Sequence, residues 1–193
     1  MKYLVVVNPQ NDYLDGALAN KEACAIIGGI CDKIVEYENN NWPIFVVYDK
    51  RDEDYLTTYE SKKIPVVHCV QGTEGYELNK FIKLALNHKR DYDCLLYVEK
   101  ISMGPSMLAP EMWTVAQSLG LPDEIEIVGT RTDTDILYTA ILVKSEFRER
   151  LVSVDAMLCA GTTPYKHNIA LAAMECAYIE VKNNGKEVWL DEV

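Results

Sequence analysis

The sequence has few positively charged residues and few histidines for its length. It contains 19 lysines and arginines against 30 aspartates and glutamates, a net charge of −11, and 3 histidines among 193 residues. Nucleic acids and anionic membranes bind proteins through lysines and arginines that neutralise phosphates. The excess of acidic residues therefore argues against both classes of partner, and we expect neither nucleic acid nor membrane binding.

Long hydrophobic runs are also missing. No apolar stretch approaches the roughly 18 residues that a membrane-spanning helix needs. A strand-like run begins at Lys2 with no cleavable small-residue site before it, so no signal peptide is expected. With 49% hydrophobic and 25% charged residues, the composition is that of a globular protein. We expect it to be cytoplasmic.

The cysteines lack the spacing of a metal-binding or disulfide motif. No Cys-x-x-Cys pair is present, which argues against a zinc ribbon, and a disulfide framework is not expected in a cytosolic chain of this size. Most of them lie in apolar segments, where buried and inert thiols are the expected state. The six are Cys24, Cys31, Cys69, Cys94, Cys159 and Cys176.

Strand-like and helix-like segments alternate along the chain. Continuous apolar runs separated by amphipathic segments indicate βαβ units and a parallel sheet covered on both faces. We predict a single α/β domain over 1–193, a three-layer α/β/α sandwich with a mostly parallel, Rossmann-like sheet. Strands are expected at 2–8, 43–49, 93–100, 124–130, 150–161 and finally 178–181 or 187–193, and helices near 21–39, 76–87, 110–119, 133–147 and 164–177.

Polar residues stand at the ends of several predicted strands. Asn8, Asp49 and Lys100 end the first three, and polar residues follow Gly129 after the fourth. In open parallel sheets, ligands bind outside the carboxyl ends of the strands. We therefore expect these residues to converge on one site.

Five segments occur in the order and spacing of a known family. They read VVVNPQNDYLDGAL, VVHCVQGTEG, LLYVEK, IEIVGTRTDTDILYTA and VSVDAMLCAG. This pattern resembles the isochorismatase-like superfamily, which includes the cysteine hydrolases called nicotinamidases; HCVQGT and the QND cluster are its most specific parts. The resemblance implies the isochorismatase-like hydrolase fold, a small-molecule ligand and assembly into a homo-oligomer.

The resemblance also defines three catalytic positions, and two of them are substituted. In the amidase branch an aspartate after the first strand acts as base, a lysine after the third supplies positive charge, and a cysteine attacks the carbonyl. Lys100 matches the lysine, but Asn8 stands at the base position and Asp135 at the cysteine position. An asparagine has no titratable proton near neutral pH, and isochorismatases use the same first-strand aspartate. We therefore expect standard cysteine-amidase activity to be absent.

The metal site of nicotinamidases is matched only in part. Asp49 and His68 fit its pattern, but Arg51 replaces the histidine two residues after the aspartate. We regard the pair as remnants of a metal-site pattern and expect no metal and no cofactor. His68 is interpreted as a loop residue whose ring caps backbone groups, and His88 and His167 as residues on helix surfaces.

Several roles remain open at this level. Lys100 and Asp135 are expected to form an ion pair, although Lys100 also fits a strand-end lysine that reaches solvent and Asp135 a helix cap. Arg131 favours an anionic ligand if it points inward and is ordinary surface if it points outward. The residues predicted to bind substrate are Gln10, Tyr13, Arg131 and Thr132.

Three functions are compatible with these substitutions. The first is a family member without the standard chemistry that binds a small molecule in a residual pocket. The second is an active hydrolase that uses Asp135 and Lys100 on a small amide, ester or vinyl ether, since a carboxylate can act as nucleophile or as a base for water. The third is a structural subunit of an oligomer.

Overall fold

One parallel sheet runs through the protein. The computed structural model describes residues 1–88 and 94–190, and within them six strands form the order β3-β2-β1-β4-β5-β6 with every neighbouring pair parallel. This is the doubly wound Rossmann order, so the predicted fold class is confirmed. The strands are β1 Lys2–Val7, β2 Ile44–Asp49, β3 Leu95–Lys100, β4 Glu124–Thr130, β5 Leu151–Ala160 and β6 Glu180–Lys182.

The final strand follows one of the two predicted alternatives. The sequence YIEV at 178–181 overlaps β6, whereas 187–190 form no strand and 191–193 lie outside the described residues. Residue 93, the predicted start of the third strand, also lies outside the described residues. The predictions for the other strands agree with the structure to within one or two residues at each end.

The helices cover both faces of the sheet. The predicted helix at 21–39 is divided at Ile26, and the segment predicted to start at 133 begins with a turn of π-helix, Thr132–Ile136. Pro164 occupies the first turn of the last helix, where its fixed φ is favourable. The helices are α1 Asn11–Leu14, α2 Lys21–Ala25, α3 Ile27–Asn39, α4 Lys80–Ala85, α5 Leu108–Leu119, α6 Leu137–Glu146 and α7 Pro164–Cys176.

Alternation along β1 divides the core into two halves. Tyr3, Val5 and Val7 pack with residues of α5, α6 and α7, while Leu4 and Val6 pack with residues of α3 and α4. Successive side chains of a strand point to opposite faces, so an unbroken apolar strand needs helices on both sides. The result is the predicted three-layer arrangement. Among the described residues, no helix is long and apolar enough to cross a membrane.

The thiols are distributed differently from the prediction. None of the six cysteines, all of which lie within the described residues, forms a disulfide bond. Cys69 and Cys159 are buried, as expected, but Cys24 and Cys176 are exposed. Those two lie on helices, at positions that face away from the sheet, so the prediction from their apolar neighbours was wrong there.

The strand order brings the predicted site residues to one edge. β1 lies at the centre with β2 on one side and β4 on the other, and Asp49 pairs in register with Lys100 on the next strand. The carboxyl ends of β1, β2, β3 and β4 are therefore adjacent. The switch point of a doubly wound sheet, where ligands bind in this architecture, lies between β1 and β4.

Candidate functional site

Lys100 is the centre of the cluster at this edge. Its Nζ lies 2.7 Å from Asp135 Oδ1 and 3.2 Å from Asp49 Oδ1. The side chains of Lys100 and Asp49 are fully buried, and that of Asp135 is 5% exposed. Burial lowers the pKa of the Lys100 ammonium, but the two carboxylates outweigh burial and raise it. The expected ion pair with Asp135 is therefore present, and Lys100 points inward.

Three side chains lie close to the second oxygen of Asp49. Oδ2 lies 2.9 Å from the Tyr13 hydroxyl, 3.1 Å from Arg51 Nη2 and 3.4 Å from His68 Nε2. Burial alone would raise the pKa of this carboxyl, but Lys100, His68 and Arg51 outweigh burial and hold the pKa well below its ordinary value. Asp49 is thus a buried, ionised carboxylate with Lys100 and Arg51 as its counter-ions.

Asn8 ends β1 in an unusual environment. Its backbone is in the left-handed region with φ of 51°, which asparagine tolerates better than most residues. Its N–H donates to the Val47 carbonyl at 2.8 Å. The side chain is fully buried, yet neither Oδ1 nor Nδ2 has a hydrogen-bond partner among the described residues. Such a group costs about 1–3 kcal/mol when left unpaired, which makes it the most conspicuous polar group at this edge.

The turn that carries Asp135 begins at a glycine. Gly129 has φ of 121°, and a Cβ there would lie 2.1 Å from the Val7 carbonyl oxygen, so no larger residue fits beside β1. The peptide bond between Thr130 and Arg131 is cis. Residues Thr132–Ile136 then form the π-helical turn. This geometry delivers Asp135 to Lys100 from the far side of the switch point.

Both carboxylate oxygens of Asp135 are engaged. Oδ1 receives Lys100, and Oδ2 accepts a hydrogen bond from the Thr134 hydroxyl at 2.8 Å. The backbone carbonyl of Asp135 accepts from Thr139 Oγ1 at 2.6 Å. Asp135 lies inside the turn, whose N-cap residue is Arg131, and its carboxylate accepts from two side chains. The alternative in which Asp135 is the N-cap of the helix is therefore wrong.

The residues predicted to bind substrate are bonded to the protein itself. Gln10 accepts from the Asp49 N–H at 2.6 Å and donates to the Asp49 carbonyl at 2.8 Å, so it holds the end of β2 in place. Arg131 donates to the Leu18 carbonyl at 3.0 Å and is half-buried, which matches neither of its two predicted orientations. Thr132 Oγ1 lies 2.8 Å from His167 Nδ1.

The histidines differ in how well they were predicted. His68 Nδ1 donates to the Val66 carbonyl at 2.7 Å, which is the expected backbone-capping role. His88 is more than half exposed. The prediction for His167 was wrong: it is fully buried, because the first turn of α7 is covered by the turn at Thr132 and by residues 187–189 near the C-terminus.

The sequence profile of the family described as "Isochorismatase domain" matches residues 2–183. The six-stranded parallel α/β sheet is consistent with the fold of this family. The chain belongs to the isochorismatase family. No curated protein matches the chain in sequence.

Solved structures share the fold at low sequence identity. The nicotinamidase of Bacillus subtilis is 20% identical with a TM-score of 0.81, over 94% of this chain and 99% of that chain. The pyrazinamidase of Pyrococcus horikoshii in complex with zinc is 21% identical with a TM-score of 0.75, over 93% and 97%. The N-carbamoylsarcosine amidase of Thermoplasma acidophilum is 20% identical with a TM-score of 0.71, over 94% and 95%. At these identities the likeness establishes the fold alone.

The residues around Asp49 do not fit a divalent cation. Arg51 Nη2 lies 3.1 Å from Asp49 Oδ2, so a positive charge already lies beside the oxygen that a cation would use. Within the described ranges, no group of three or more histidine, cysteine, aspartate or glutamate side chains is arranged to hold a metal. Arg51 fills the position with its own charge.

Two contacts of the Asp49 carboxylate were not predicted from the sequence. The pairing of Asp49 with Lys100 was available from the prediction, since both residues end adjacent parallel strands in register. The contact of Arg51 with Asp49 was not, because Arg51 follows the strand and its direction depends on a loop. That loop is fixed by the Arg51 N–H, which donates to the Cys69 carbonyl at 2.9 Å, and by Glu60, which lies 2.9 Å from the guanidinium.

Proposed function

We propose that this protein is an isochorismatase-family member that lacks the standard amidase chemistry and binds a small, neutral, amide-like molecule beside Asn8. The observation that carries the proposal is the Asn8 side chain, a fully buried amide whose donor and acceptor are both unpartnered among the described residues. It stands at the position where the family resemblance expects a catalytic acid. A ligand with a carboxamide offers the complementary acceptor and donor.

The loss of chemistry follows from the groups present. Amide hydrolysis by a thiolate needs a base that takes a proton and returns it to the departing amine, and Asn8 cannot do either. Cys69 is the thiol that lies near Asp49, but burial raises its pKa strongly, with Asp49 and Asp12 adding to the effect. A thiol kept protonated in this way is a poor nucleophile, so Cys69 does not replace the missing cysteine.

The charges at the site favour a neutral ligand. Asp49 and Asp135 are balanced by Lys100 and Arg51, and Glu60 pairs with Arg51 from outside. An anionic ligand would therefore meet no uncompensated positive charge. A neutral carboxamide is compatible with this balance, since it adds hydrogen bonds without adding charge.

Access to Asn8 requires local movement. Asn8 and Asp49 are fully buried and Lys100 nearly so, and Tyr13, Arg51 and His68 cover Asp49. Arg51 and His68 belong to the segment between β2 and α4, which contains only short 3₁₀ turns, at Tyr55–Thr57 and Glu60–Lys62. Ligand entry therefore depends on the opening of this segment, as is common for loops over binding sites.

A thermal-shift experiment with matched ligands tests the binding proposal. Benzamide and acetamide are expected to raise the Tm, while benzoate and acetate are not; saturation at 100 times Kd adds roughly 2.7 kcal/mol to stability. Asn8→Gly is the control variant, because glycine also adopts a positive φ but has no amide. No shift with any of a broad set of carboxamides, or equal shifts in the variant, would refute the proposal.

Turnover is tested separately. Ammonia release from nicotinamide is expected to stay at the blank level even at high protein concentration. The double variant Asn8→Asp with Asp135→Cys restores the residue types of the amidase pattern, and we expect it to hydrolyse the same amide. Ammonia release by the unmodified protein would show that the chemistry is not lost.

An active hydrolase with different chemistry is the second candidate. It is favoured by Asp135, which stands at the nucleophile position beside Lys100 and at the start of a helix. It is disfavoured by the engagement of both Asp135 oxygens, which lowers the reactivity of the carboxylate. Hydrolysis of a small ester or vinyl ether that is lost in Asp135→Asn and kept in Thr134→Val would favour this candidate over the first.

A role as a structural subunit is compatible with the surface of the helices. Large apolar side chains are exposed on α6 and α7, at Tyr138, Ile141, Leu142, Tyr165 and Ile169. Exposed apolar patches of this kind mark protein–protein contacts. Sedimentation velocity at several concentrations measures whether the protein assembles into the homo-oligomer that the family resemblance implies.

A further inference from the structure

A second buried polar cluster lies behind the turn that carries Asp135. His167, on the first turn of α7, has its Nδ1 2.8 Å from Thr132 Oγ1 and its Nε2 3.5 Å from Glu187 Oε1. Trp189 packs edge-on against the imidazole at 5.3 Å between ring centroids. Each of these side chains is at least nine-tenths buried. The cluster therefore joins three segments that are far apart in the sequence.

His167 lies between Thr132 and Glu187. Its Nδ1 faces the Thr132 hydroxyl, and its Nε2 faces the Glu187 carboxylate. Burial lowers the pKa of the imidazole, although Glu187 and Asp133 act in the opposite direction. The two ring nitrogens therefore connect the turn to Glu187.

Thr132 is the first residue of the π-helical turn, three positions before Asp135. The turn is closed by the N–H groups of Thr134 and Ile136, which donate to the Arg131 carbonyl at 3.2 and 3.0 Å. A second anchor is Asp133, which accepts from the Thr162 N–H at 2.6 Å. The contact of Thr132 with His167 is the connection from this turn to the C-terminal segment, which we define as residues 183–190.

Close approach of these elements depends on Gly161. A Cβ at this position would lie 3.0 Å from both Asp133 Oδ1 and His167 Cβ. The glycine lets the first turn of α7 pack directly against the turn before α6.

A buried histidine between a hydroxyl and a carboxylate is expensive in desolvation, and an apolar residue would fill the same space at lower cost. A role in holding the turn in place accounts for the polar residues Thr132, His167 and Glu187 at this buried position.

We propose that His167 is a positioning residue that couples the C-terminal segment, through Glu187 and Trp189, to the Thr132–Ile136 turn and therefore to Asp135. A substitution at Glu187 that destabilises the C-terminal segment also destabilises the turn. A substitution at Thr132 that destabilises the turn also destabilises the segment, since coupling free energies are reciprocal. The proposal concerns the same site as the proposed function but needs no ligand. Its failure and the failure of ligand binding can therefore be observed independently.

Amide hydrogen exchange measures the coupling directly. Glu187→Leu removes the carboxylate that faces His167 Nε2, and we expect exchange of the Thr134 and Ile136 amides to accelerate at least about tenfold. Glu187→Gln keeps an acceptor oxygen and is expected to restore slow exchange. Tyr37→Phe is the matched control. It removes the buried hydroxyl that donates to the Glu126 carboxylate at 2.7 Å, on a helix and a strand outside this cluster, and leaves His167 and the C-terminal segment untouched.

Each result supports or overturns the proposal. Unchanged exchange of the turn in Glu187→Leu, or equal acceleration in Tyr37→Phe, would show that His167 transmits nothing. If Glu187→Leu does not fold, Thr132→Val provides the reciprocal test from the other end. The Lys186 and Leu190 N–H groups donate to the carbonyls of Asn183 and Glu187 within the C-terminal segment. We expect these two amides to exchange faster in Thr132→Val. No change there would equally overturn the coupling.

Discussion

Two ion-paired clusters stand at opposite ends of the same sheet. At the carboxyl edge, Lys100 lies between Asp49 and Asp135 and is fully buried. At the amino edge, the carboxylate of Glu124 receives Lys2 at 2.9 Å, Lys182, and the Ser153 hydroxyl at 2.6 Å. Lys2 and Lys182 keep 38% and 26% of their side-chain surface exposed. One cluster is sealed and the other is open to water.

The difference shows how position in the fold changes the consequence of similar residues. The amino-edge cluster uses solvated lysines on a strand-end glutamate, which contributes modestly to stability and leaves the lysines free to move. The carboxyl-edge cluster holds an ammonium and two carboxylates where water cannot compensate any of them. Sealed charge of this kind lies at the carboxyl edge, where ligands bind in open parallel sheets, and each member of the cluster depends on the others.

Removal of the central ammonium is expected to have the largest effect. Lys100→Met leaves two buried carboxylates without their shared counter-ion, and we expect a loss of about 3–5 kcal/mol in the free energy of unfolding. The matched variant at the amino edge, Lys182→Met, leaves Lys2 on Glu124 and is expected to cost at most about 1 kcal/mol. Urea denaturation measures both, and similar losses in the two variants would remove the distinction between the clusters.

Removal of one buried carboxylate is expected to have an intermediate effect. Asp49→Asn takes the charge from a group that contacts Arg51 and Tyr13 as well as Lys100, and a hydrogen bond to a charged group contributes about 1.5–3 kcal/mol. Asp123→Asn, in the exposed pair with the N-terminal amine, is the control and is expected to show no measurable change. Urea denaturation midpoints of the two variants measure this difference in stability, and equal midpoints would contradict the prediction.

Acid titration of a Glu124 variant tests the amino-edge cluster. Burial raises the pKa of Glu124, but hydrogen bonds from Lys182, Ser153 and Lys2 outweigh it and lower the pKa to about 2. A depressed carboxyl pKa stabilises the fold above the unfolded value of 4.5 and loses that effect as the pH falls toward about 2. Glu124→Gln is therefore expected to flatten the fall of stability across this window. An unchanged pH profile in the variant would contradict the assignment.

Salt is expected to have the smallest effect and to act on one cluster only. At 1 M salt the screening length is about 3 Å, and exposed charges are screened far more than buried ones. The stability difference between the unmodified protein and Lys182→Met is expected to shrink toward zero in 1 M NaCl, while the difference for Lys100→Met is expected to persist. Equal salt sensitivity in the two variants would mean that the Lys100 cluster is more open than its burial indicates.

Much of the fold and part of the site were predictable for local reasons. Apolar strands alternating with amphipathic helices permit few arrangements other than a parallel sheet covered on both faces, and the predicted strands follow this pattern closely. Parallel pairing brings Asp49 and Lys100 to one edge without knowledge of any loop. The resemblance to the family supplied the meaning of Asn8 and Asp135, since no local physical rule makes an asparagine at a strand end unusual.

The roles of individual polar side chains were less predictable. Arg131 bonds to the Leu18 carbonyl, Gln10 to the backbone of Asp49, and His167 to Thr132. Each partner belongs to a segment that is distant in sequence or separated by a loop. Periodicity along one segment carries no information about such partners, and this is why the histidine of α7 was assigned to the surface.

The sequence by itself determined the doubly wound sheet, the edge at which its polar strand ends meet, and the two residue types that depart from the amidase pattern, because these depend on chain order and on the chemistry of single residues. Only the tertiary structure decided that Lys100 is shared by two carboxylates and that Arg51 turns back onto Asp49. It also decided that both polar atoms of the Asn8 amide lack a partner among the described residues, and that His167 is buried under the C-terminal segment. Burial and pairing of charges depend on which segments close over a strand end. That closure is set by loops whose course no local pattern encodes.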